Sequence, residues 1–449
     1  MKNIAPKLRL EEYEKNFADL LPPFTQNSAI AEANRCLYCY DSPCMKACPT
    51  HIDVSTFIRK IATGNLLGSA KTIYESNWVP LTCAKACPVN VLCEGACVYN
   101  EKGEKPIEIG RLQRYAIENY FERGMPLFFQ SAPKNGKNVG VVGSGPAGLS
   151  CSAELSLLGY DVTIYEANDI PGGLNTWGIA PYKMRREDSL KEVEMVKSFG
   201  VEIKTRVVVG KTIQVDELLK KHDALFLGVG LGESPWLSIP GEQLSGVVGA
   251  IEFIEKVKTE NWKDVHVGKS VAVIGAGNTS IDAATEAKRL GAGQVFIIYR
   301  RSEVEMSAYD FEYELAKKDG IIFYFQTAPK KIIGEKFVEG IECLKMKPGG
   351  LDSKGKRKPL PVDGSEFVIP VDMVIKAIGQ ETKSSFLNSI PGLTIDSEGC
   401  VVVDQKTYQS TNPRIFAGGD CINGGKEVVN AAYDGKHAAY GIHQYLTAI

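Results

Sequence analysis

No stretch of the 449 residues approaches the roughly 18 consecutive apolar residues of a membrane-spanning helix. The opening, MKNIAPKLRLEEYEKNF, is charged throughout and lacks the apolar centre of a signal peptide. Neither sign of charge is in excess. Fifty-two Lys and Arg face 54 Asp and Glu, and a net charge of −2 builds no field that would draw nucleic acid or an anionic membrane. Histidine is scarce, and the five present show neither triad nor metal spacing. No segment is of low complexity. These absences predict a cytoplasmic chain with no nucleic acid and no membrane among its partners. The hydrophobic fraction of 44% and charged fraction of 24% are those of an ordinary globular protein. At about 150 residues per domain, the length suggests about three domains.

Cysteine, by contrast, is plentiful. Twelve cysteines in a reducing compartment point to metal or redox chemistry rather than disulfides. Eight lie between Cys36 and Cys97, while Cys151, Cys343, Cys400 and Cys421 are scattered and read as small core residues. The first run is Cys36-x2-Cys39-x4-Cys44-x3-Cys48-Pro49. The second is Cys83-x3-Cys87-Pro88, followed by Cys93 and Cys97. Thiolates are soft, charged donors that suit iron. Close spacing lets one loop wrap three corners of a cubane, and a Cys-Pro whose cysteine serves the other cluster is a feature of two-cluster ferredoxins. Zinc ribbons place two CxxC knuckles about 15–20 residues apart; only Cys36–Cys39 has that form here. Counting thiols alone allows two all-cysteine [4Fe–4S] clusters, with Cys83 among the ligands.

After a polar stretch at 131–138 the texture changes. Gly143-Ser-Gly145-Pro146-Ala147-Gly148 follows the apolar strand Val139–Val142 and opens a helix expected over Leu149–Leu158. The first glycine permits a tight turn, the second lets a pyrophosphate approach the backbone, and the third lets helix pack on strand. The helix N-terminus then favours phosphate through its free N–H groups and dipole. Glu166 ends the next strand about 20 residues on, where an acid can bind ribose hydroxyls. The pattern returns as Gly275-Ala-Gly277-Asn278-Thr279-Ser280, with serine for the third glycine. Arg300 and Arg301 stand after its second strand, where arginine can meet a 2′-phosphate. Either arginine alone is equally readable as a solvated strand end. Near the end, strand Arg414–Ala417 delivers Gly418, Gly419 and Asp420, and a helix starts at Val428. Two such motifs suggest two dinucleotides face to face, FAD on one domain and a nicotinamide cofactor on the other.

This order over 138–449 resembles the flavoproteins with two dinucleotide-binding domains, in which an AGGD-type motif closes the FAD site. Pro171-Gly172-Gly173-Leu174 matches the loop that superfamily places near its flavin. The segments EANRCLYCYDSPCMKACPTHIDVSTFI, LTCAKACPVNVLCEGACVY and PIEIGRLQRYA resemble the N-terminal half of dihydropyrimidine dehydrogenase. They resemble equally the flavoprotein subunit of the bacterial NAD-dependent form, and more distantly the glutamate synthase small subunit. The resemblance implies ligands that cross between the two runs. Cys36, Cys39, Cys44 and Cys97 would hold one [4Fe–4S] cluster. Cys48, Cys87, Cys93 and the side-chain oxygen of Gln113 would hold the other, leaving Cys83 spare. Taken alone, Gln113 reads as an exposed helix residue.

The expected fold is α/β: a helical iron–sulfur domain over 1–130, then two Rossmann-like domains with the second inserted in the first. FAD would occupy 131–238 and 370–449, and NAD(P)H 239–369. The expected function is electron transfer from NAD(P)H through FAD and two [4Fe–4S] clusters to a partner. No acid–base catalyst is needed, since hydride transfer to flavin requires none. Glu303 and Glu305 would repel a 2′-phosphate, and EMSAYDFEYE resembles the NADH-using bacterial subunit, which tips the choice toward NADH. The fused relatives continue into an FMN-binding barrel, which this sequence does not contain. The resemblance therefore implies a hetero-oligomer with an FMN- and iron–sulfur-containing catalytic subunit that reduces pyrimidines. The rival readings are a glutamate synthase-type reductase serving another acceptor and a cluster-bearing assembly protein that binds FAD without turning over.

Overall fold

The two glycine-motif repeats build two five-stranded parallel sheets with matching strand orders. In the first, Ile415–Ala417, Ala224–Leu227, Asn138–Val142, Asp161–Tyr165 and Glu202–Lys204 lie side by side in that order. In the second the order is Val247–Gly249, Met373–Lys376, Ser270–Ile274, Gln294–Ile298 and Ile322–Tyr324. Each time the strand before the glycine turn is central and the next two strands of the repeat lie to one side. A parallel sheet covered on both faces reads as uninterrupted apolar sequence, and every residue of Ala224–Leu227 is buried. The helix after the first turn spans Pro146–Leu157, starting three residues before its expected first residue because proline is at home in a first helical turn.

The computed structural model describes residues 3–351 and 357–448. They form two units. The larger comprises Leu20–Ile179, Lys183–Leu231 and Thr382–Ile449, and contains both the cysteine-rich helices and the first sheet. Those helices have clear local causes. Asp53 caps Val54–Ala62 by accepting from Thr56 N at 3.0 Å, Asn65 caps Leu66–Tyr74 by accepting from Gly68 N at 2.9 Å, and Pro43 and Pro80 open two short helices. They do not stand alone: Phe57, Ile58, Leu112 and Ile117 share one buried core with Val139, Val141 and Ala439.

The smaller unit comprises Met1–Asp19, Ala180–Tyr182 and Gly232–Glu381. The sequence groups the first residues with the cysteine-rich helices, but here they belong to the unit of the second sheet. Ala5 N donates to Val267 O at 2.8 Å, Asn16 Nδ2 to Arg289 O at 2.9 Å, and Phe17 stacks on Trp262 with centroids 4.7 Å apart. These partners are far away in sequence and carry no local signal. An antiparallel sheet of Thr327–Ile333, Gly340–Leu351, Arg357–Pro361 and Phe367–Ile369 precedes the strand Met373–Lys376. Among the described residues no helix is long and apolar enough to cross a membrane.

Candidate redox site

The three glycines of the first motif do different work. Gly143 has φ +96°, and a Cβ there would lie 2.4 Å from Gly228 O. A Cβ on Gly148 would lie 2.0 Å from Gly143 O, so helix and strand could not pack as closely. At Gly145 the nearest atom to a Cβ is Gly173 Cα at 3.9 Å. Its bare backbone faces open space at the start of Pro146–Leu157, as a pyrophosphate requires. Gly172 N donates to Ser144 Oγ at 2.9 Å, and a Cβ on Gly173 would press within 2.5 Å of Gly145 Cα. The loop ending in Leu174 thus lies directly against the first motif. Glu166 is buried; Ser144 N (2.9 Å) and Oγ (2.5 Å) donate to its Oε2, and Asn168 N donates to Oε1 at 2.8 Å.

The C-terminal motif reaches the same helix start. A Cβ on Gly419 would lie 3.1 Å from Ala147 Cβ, and one on Gly435, in the helix Val428–Ala448, 2.0 Å from Ala147 O. Asp434 holds this junction by accepting from Gly419 N and Tyr408 OH, both at 3.1 Å. Burial raises the Asp420 carboxyl above its ordinary range, and its Oδ1 accepts from Lys426 N at 3.2 Å. The first-motif residues, Glu166, Gly172, Gly173 and Gly419 thus lie around one helix N-terminus, with Leu174 and Asp420 next to them in sequence, while Val428 opens the helix Val428–Ala448 that packs there. Ser144 and Asp434 were not singled out in the sequence. Ser144 is a variable position within the motif, and Asp434 lies mid-helix with no local mark.

In the second sheet Gly275 has φ +125°, and a Cβ there would lie 2.1 Å from Ala377 O. Gly277 is again open, the nearest atom being Ser307 Oγ at 3.4 Å. Ser280 substitutes for the third glycine by bonding, not by vacating: its hydroxyl donates to Ala377 O at 3.2 Å and accepts from Gly277 N at 3.3 Å. Asn278 Oδ1 accepts from Tyr309 N at 3.0 Å, and Thr279 is exposed in the first turn of Asn278–Arg289. Arg300 is exposed just past Gln294–Ile298, and Arg301 Nε donates to Arg357 O at 3.2 Å. The two nearby acids are engaged. Glu303 accepts from Tyr313 OH at 2.8 Å. Glu305 turns back on Ser302, whose hydroxyl at 2.7 Å holds the carboxyl below its ordinary range, with Arg301 and Arg357 adding to the effect.

The cysteines fall into two groups. Cys36, Cys39, Cys44 and Cys97 line one recess, walled by Val54, Ile58, Ile107 and Ile109. Burial pushes the Cys44 thiol up to about 12, with Cys36, Cys97 and Cys39 close enough to add to the rise. Four soft thiol donors around one apolar recess suit iron–sulfur chemistry. In the second group the Cys87 thiol is raised foremost by a hydrogen bond with the Cys83 thiol, then by burial and by Cys93 and Cys48; Cys93 is raised foremost by burial, with Cys48 again nearby. Cys83 is itself buried, and its sulfur accepts from Asn77 Nδ2 at 3.1 Å. Gln113 is 6% exposed, not the solvent-facing residue its helix pattern suggests. Its Nε2 donates to Pro80 O at 2.8 Å, which fixes the amide by its nitrogen.

The helix Pro80–Ala86 carries Cys83 and ends at Cys87. Its first-turn N–H groups, buried and without a partner inside the helix, are taken by a residue from a distant helix, Arg186–Lys197. Glu192 Oε1 accepts from Leu81 N at 2.7 Å and Thr82 N at 3.1 Å, and the Thr82 hydroxyl bonds Oε2. One turn away, Asp188 pairs with Lys85 at 2.7 Å. Burial raises the Glu192 carboxyl to about 8 against these bonds. Its folded form thus holds a proton that the unfolded chain has already lost at neutral pH. Stability from this group is greatest below the unfolded value of 4.5 and falls as pH rises toward about 8. Glu192→Gln should therefore flatten the decline in urea-unfolding stability between about pH 5 and pH 8. An unchanged slope would show that the carboxyl titrates normally.

Residues 13–125 match the family described as dihydropyrimidine dehydrogenase domain II, 4Fe-4S cluster, and residues 137–435 match the family described as pyridine nucleotide-disulphide oxidoreductase. The chain belongs to the pyridine nucleotide-disulphide oxidoreductases. It is 32% identical to the glutamate synthase [NADPH] small chain of Escherichia coli (strain K12), over 98% of this chain and 96% of that one. It is 33% identical to the NAD-dependent dihydropyrimidine dehydrogenase subunit PreT of the same organism, over 96% of this chain and 98% of that one. Mycobacterium tuberculosis FprA in complex with NADPH shares the fold, with a TM-score of 0.58 at 20% identity, over 71% of this chain and 85% of that one. The resemblance read from the cysteine runs and glycine motifs is thus borne out, as is the α/β fold with a helical iron–sulfur segment. This oxidoreductase is an FAD-dependent enzyme that carries electrons from NAD(P)H through FAD to 4Fe-4S chemistry.

Proposed function

We propose that this oxidoreductase is the NAD(P)H-oxidising subunit of a cytoplasmic hetero-oligomer whose partner contains FMN and its own clusters and reduces uracil or thymine to the 5,6-dihydropyrimidine. The observation that carries the reading is the division of eight cysteines into two groups within the same unit as the first glycine motif. When bound, FAD would supply a carrier able to accept a hydride's two electrons from NAD(P)H and release them singly, and the clusters would supply one-electron carriers.

The protein's part is to bind and position. FAD belongs on 131–238 and 370–449, NAD(P)H on 239–369 and the clusters on 1–130, within the helices from Gln26 to Glu122. Gly145 and the helix N-terminus at Pro146, Ala147 and Gly148 would hold the FAD pyrophosphate. Glu166 would take ribose hydroxyls with the lone pairs that Ser144 and Asn168 leave, and Gly172, Gly173, Leu174, Gly419, Asp420 and Val428 would frame the rest. Gly275, Gly277, Asn278 and Thr279 would hold the nicotinamide cofactor's phosphates. Cys36, Cys39, Cys44 and Cys97 would bind the first cluster, and Cys48, Cys87, Cys93 and Gln113 the second. The bond from Gln113 Nε2 to Pro80 O supports this set, because it directs the amide oxygen, the only ligating atom, away from that carbonyl.

NADH is the proposed electron source. Glu303 is an exposed carboxylate three residues past Arg300, and its charge opposes a 2′-phosphate. Stopped-flow bleaching of the flavin should give a higher kcat/KM with NADH than with NADPH. A much higher value for NADPH would reverse the assignment, and Arg301→Ala should then slow NADPH selectively. A glutamate synthase-type reductase is the second reading, favoured by the 32% identity across nearly all of that small chain. It keeps the same electron path and changes only the acceptor.

A further inference from the structure

One buried network in the larger unit has no part in holding any cofactor as assigned above, yet it joins two of the sites. Glu192 is 1% exposed and lies on the helix Arg186–Lys197, which follows the flavin-loop segment in sequence. Its carboxyl does not point to solvent or to a cation. It takes Leu81 N and Thr82 N at the start of Pro80–Ala86, a helix whose own preceding residue, Val79, has no side chain able to cap it. The Thr82 hydroxyl, also fully buried, bonds Glu192 on one side. On the other side it accepts from Asn175 Nδ2 at 3.3 Å. Asn175 is 1% exposed and sits one residue beyond Gly172-Gly173-Leu174. The run is therefore continuous: the loop beside the first glycine motif, Asn175, Thr82, Glu192, and the helix that ends at Cys87.

Ordinary stability does not explain the choice of residues. A buried carboxyl costs more to desolvate than an apolar side chain of the same volume, and an N-cap can be supplied locally by serine or threonine at far lower cost. The helix already has a second tether, the pair Lys85–Asp188. What the network adds is orientation. Two backbone N–H groups and one hydroxyl, all on consecutive residues, fix the helix by direction as well as distance, and the same hydroxyl ties in the loop.

We infer that Glu192, acting through Thr82 and Asn175, is a positioning residue for electron passage from flavin to the second cluster, locking the helix that ends at Cys87 to the segment Gly172–Asn175. The inference rests on the electron path proposed above. In the step it serves, one electron leaves the reduced flavin and one arrives on the cluster, and no bond of the protein forms or breaks.

The test uses full-length holoprotein, prepared without oxygen, as wild type, Glu192→Gln and Thr82→Val. Three quantities are read: iron per chain, the rate of flavin bleaching by NADH, and the rate at which the reduced-cluster EPR signal grows in freeze-quenched samples. Both variants should retain wild-type iron and wild-type flavin bleaching. Both should give the wild-type EPR line shape when dithionite reduces the clusters directly. NADH-driven growth of the cluster signal should slow at least about tenfold, the scale on which small misplacements act. Unchanged growth in both variants would overturn the inference. So would loss of iron in both, because the network would then serve cluster retention and not electron passage. If wild type itself shows no NADH-driven cluster signal, the electron path fails, and that result is distinct from either of these.

Discussion

Purified without oxygen, the protein should hold about eight irons per chain, as two cubanes require, and Cys83→Ser should keep all of them. Cys44→Ser should lose about four, because Cys44 is one of four thiols around a single recess and a cubane missing one corner is readily lost. Gln113→Ala should lose or perturb the other cluster. The contrast between Cys83 and Gln113 decides between two physical arrangements. Cys83 lies in the second group and its thiol is a hydrogen-bond neighbour of Cys87, so proximity alone would make it a ligand. Its sulfur, however, accepts an amide N–H from Asn77, and the helix bearing it is clamped by Glu192 and Asp188. Gln113 is buried with its amide nitrogen fixed on Pro80 O. Iron loss in Cys83→Ser with a silent Gln113→Ala would make the second cluster all-cysteine.

The isolated chain should reduce ferricyanide or viologen dyes at the expense of NADH, and should not reduce uracil at all. Dye reduction needs only flavin and clusters, which accept and release electrons without a shaped substrate site. Pyrimidine reduction needs a site that binds the ring, and the parallel sheets among the described residues are open and five-stranded, not a closed (β/α)8 barrel. Adding the FMN-containing partner should bring uracil reduction from undetectable to steady turnover. Uracil reduction by the chain alone would refute the division of labour. Association with a glutamate synthase large subunit would keep the electron path and replace the acceptor.

Much of this was legible in the sequence because the relevant physics is local. Glycines that must avoid a carbonyl, at Gly143, Gly148 and Gly275, stand at fixed offsets from apolar strands, so motif and structure agree residue by residue. The pairing of Cys97 with Cys36, Cys39 and Cys44 is not local. Spacing alone leaves it open and only the family resemblance implies it; in the fold the four line one recess. What could not be read depends on contacts between distant segments. Glu192 sits in RREDSLKEVEMV, where it looks like one more solvated helix acid. Only the approach of Leu81 and Thr82 makes it a buried cap. Asp434 and Gly435 likewise look unremarkable until the last helix packs on Ala147. Sequence proximity groups the first residues with the cysteine-rich helices, but the stacking of Phe17 on Trp262 belongs to the unit of the second sheet.

Electrons taken from the nicotinamide cofactor should reach the clusters of this chain. An anaerobic titration with NADH, followed by absorbance and EPR, tests this most directly. Uptake should pass the two electrons per chain that the flavin alone can hold, and a reduced-cluster EPR signal should appear as it does. A titration that ends at two electrons, with the flavin bleached and no cluster signal, would contradict it.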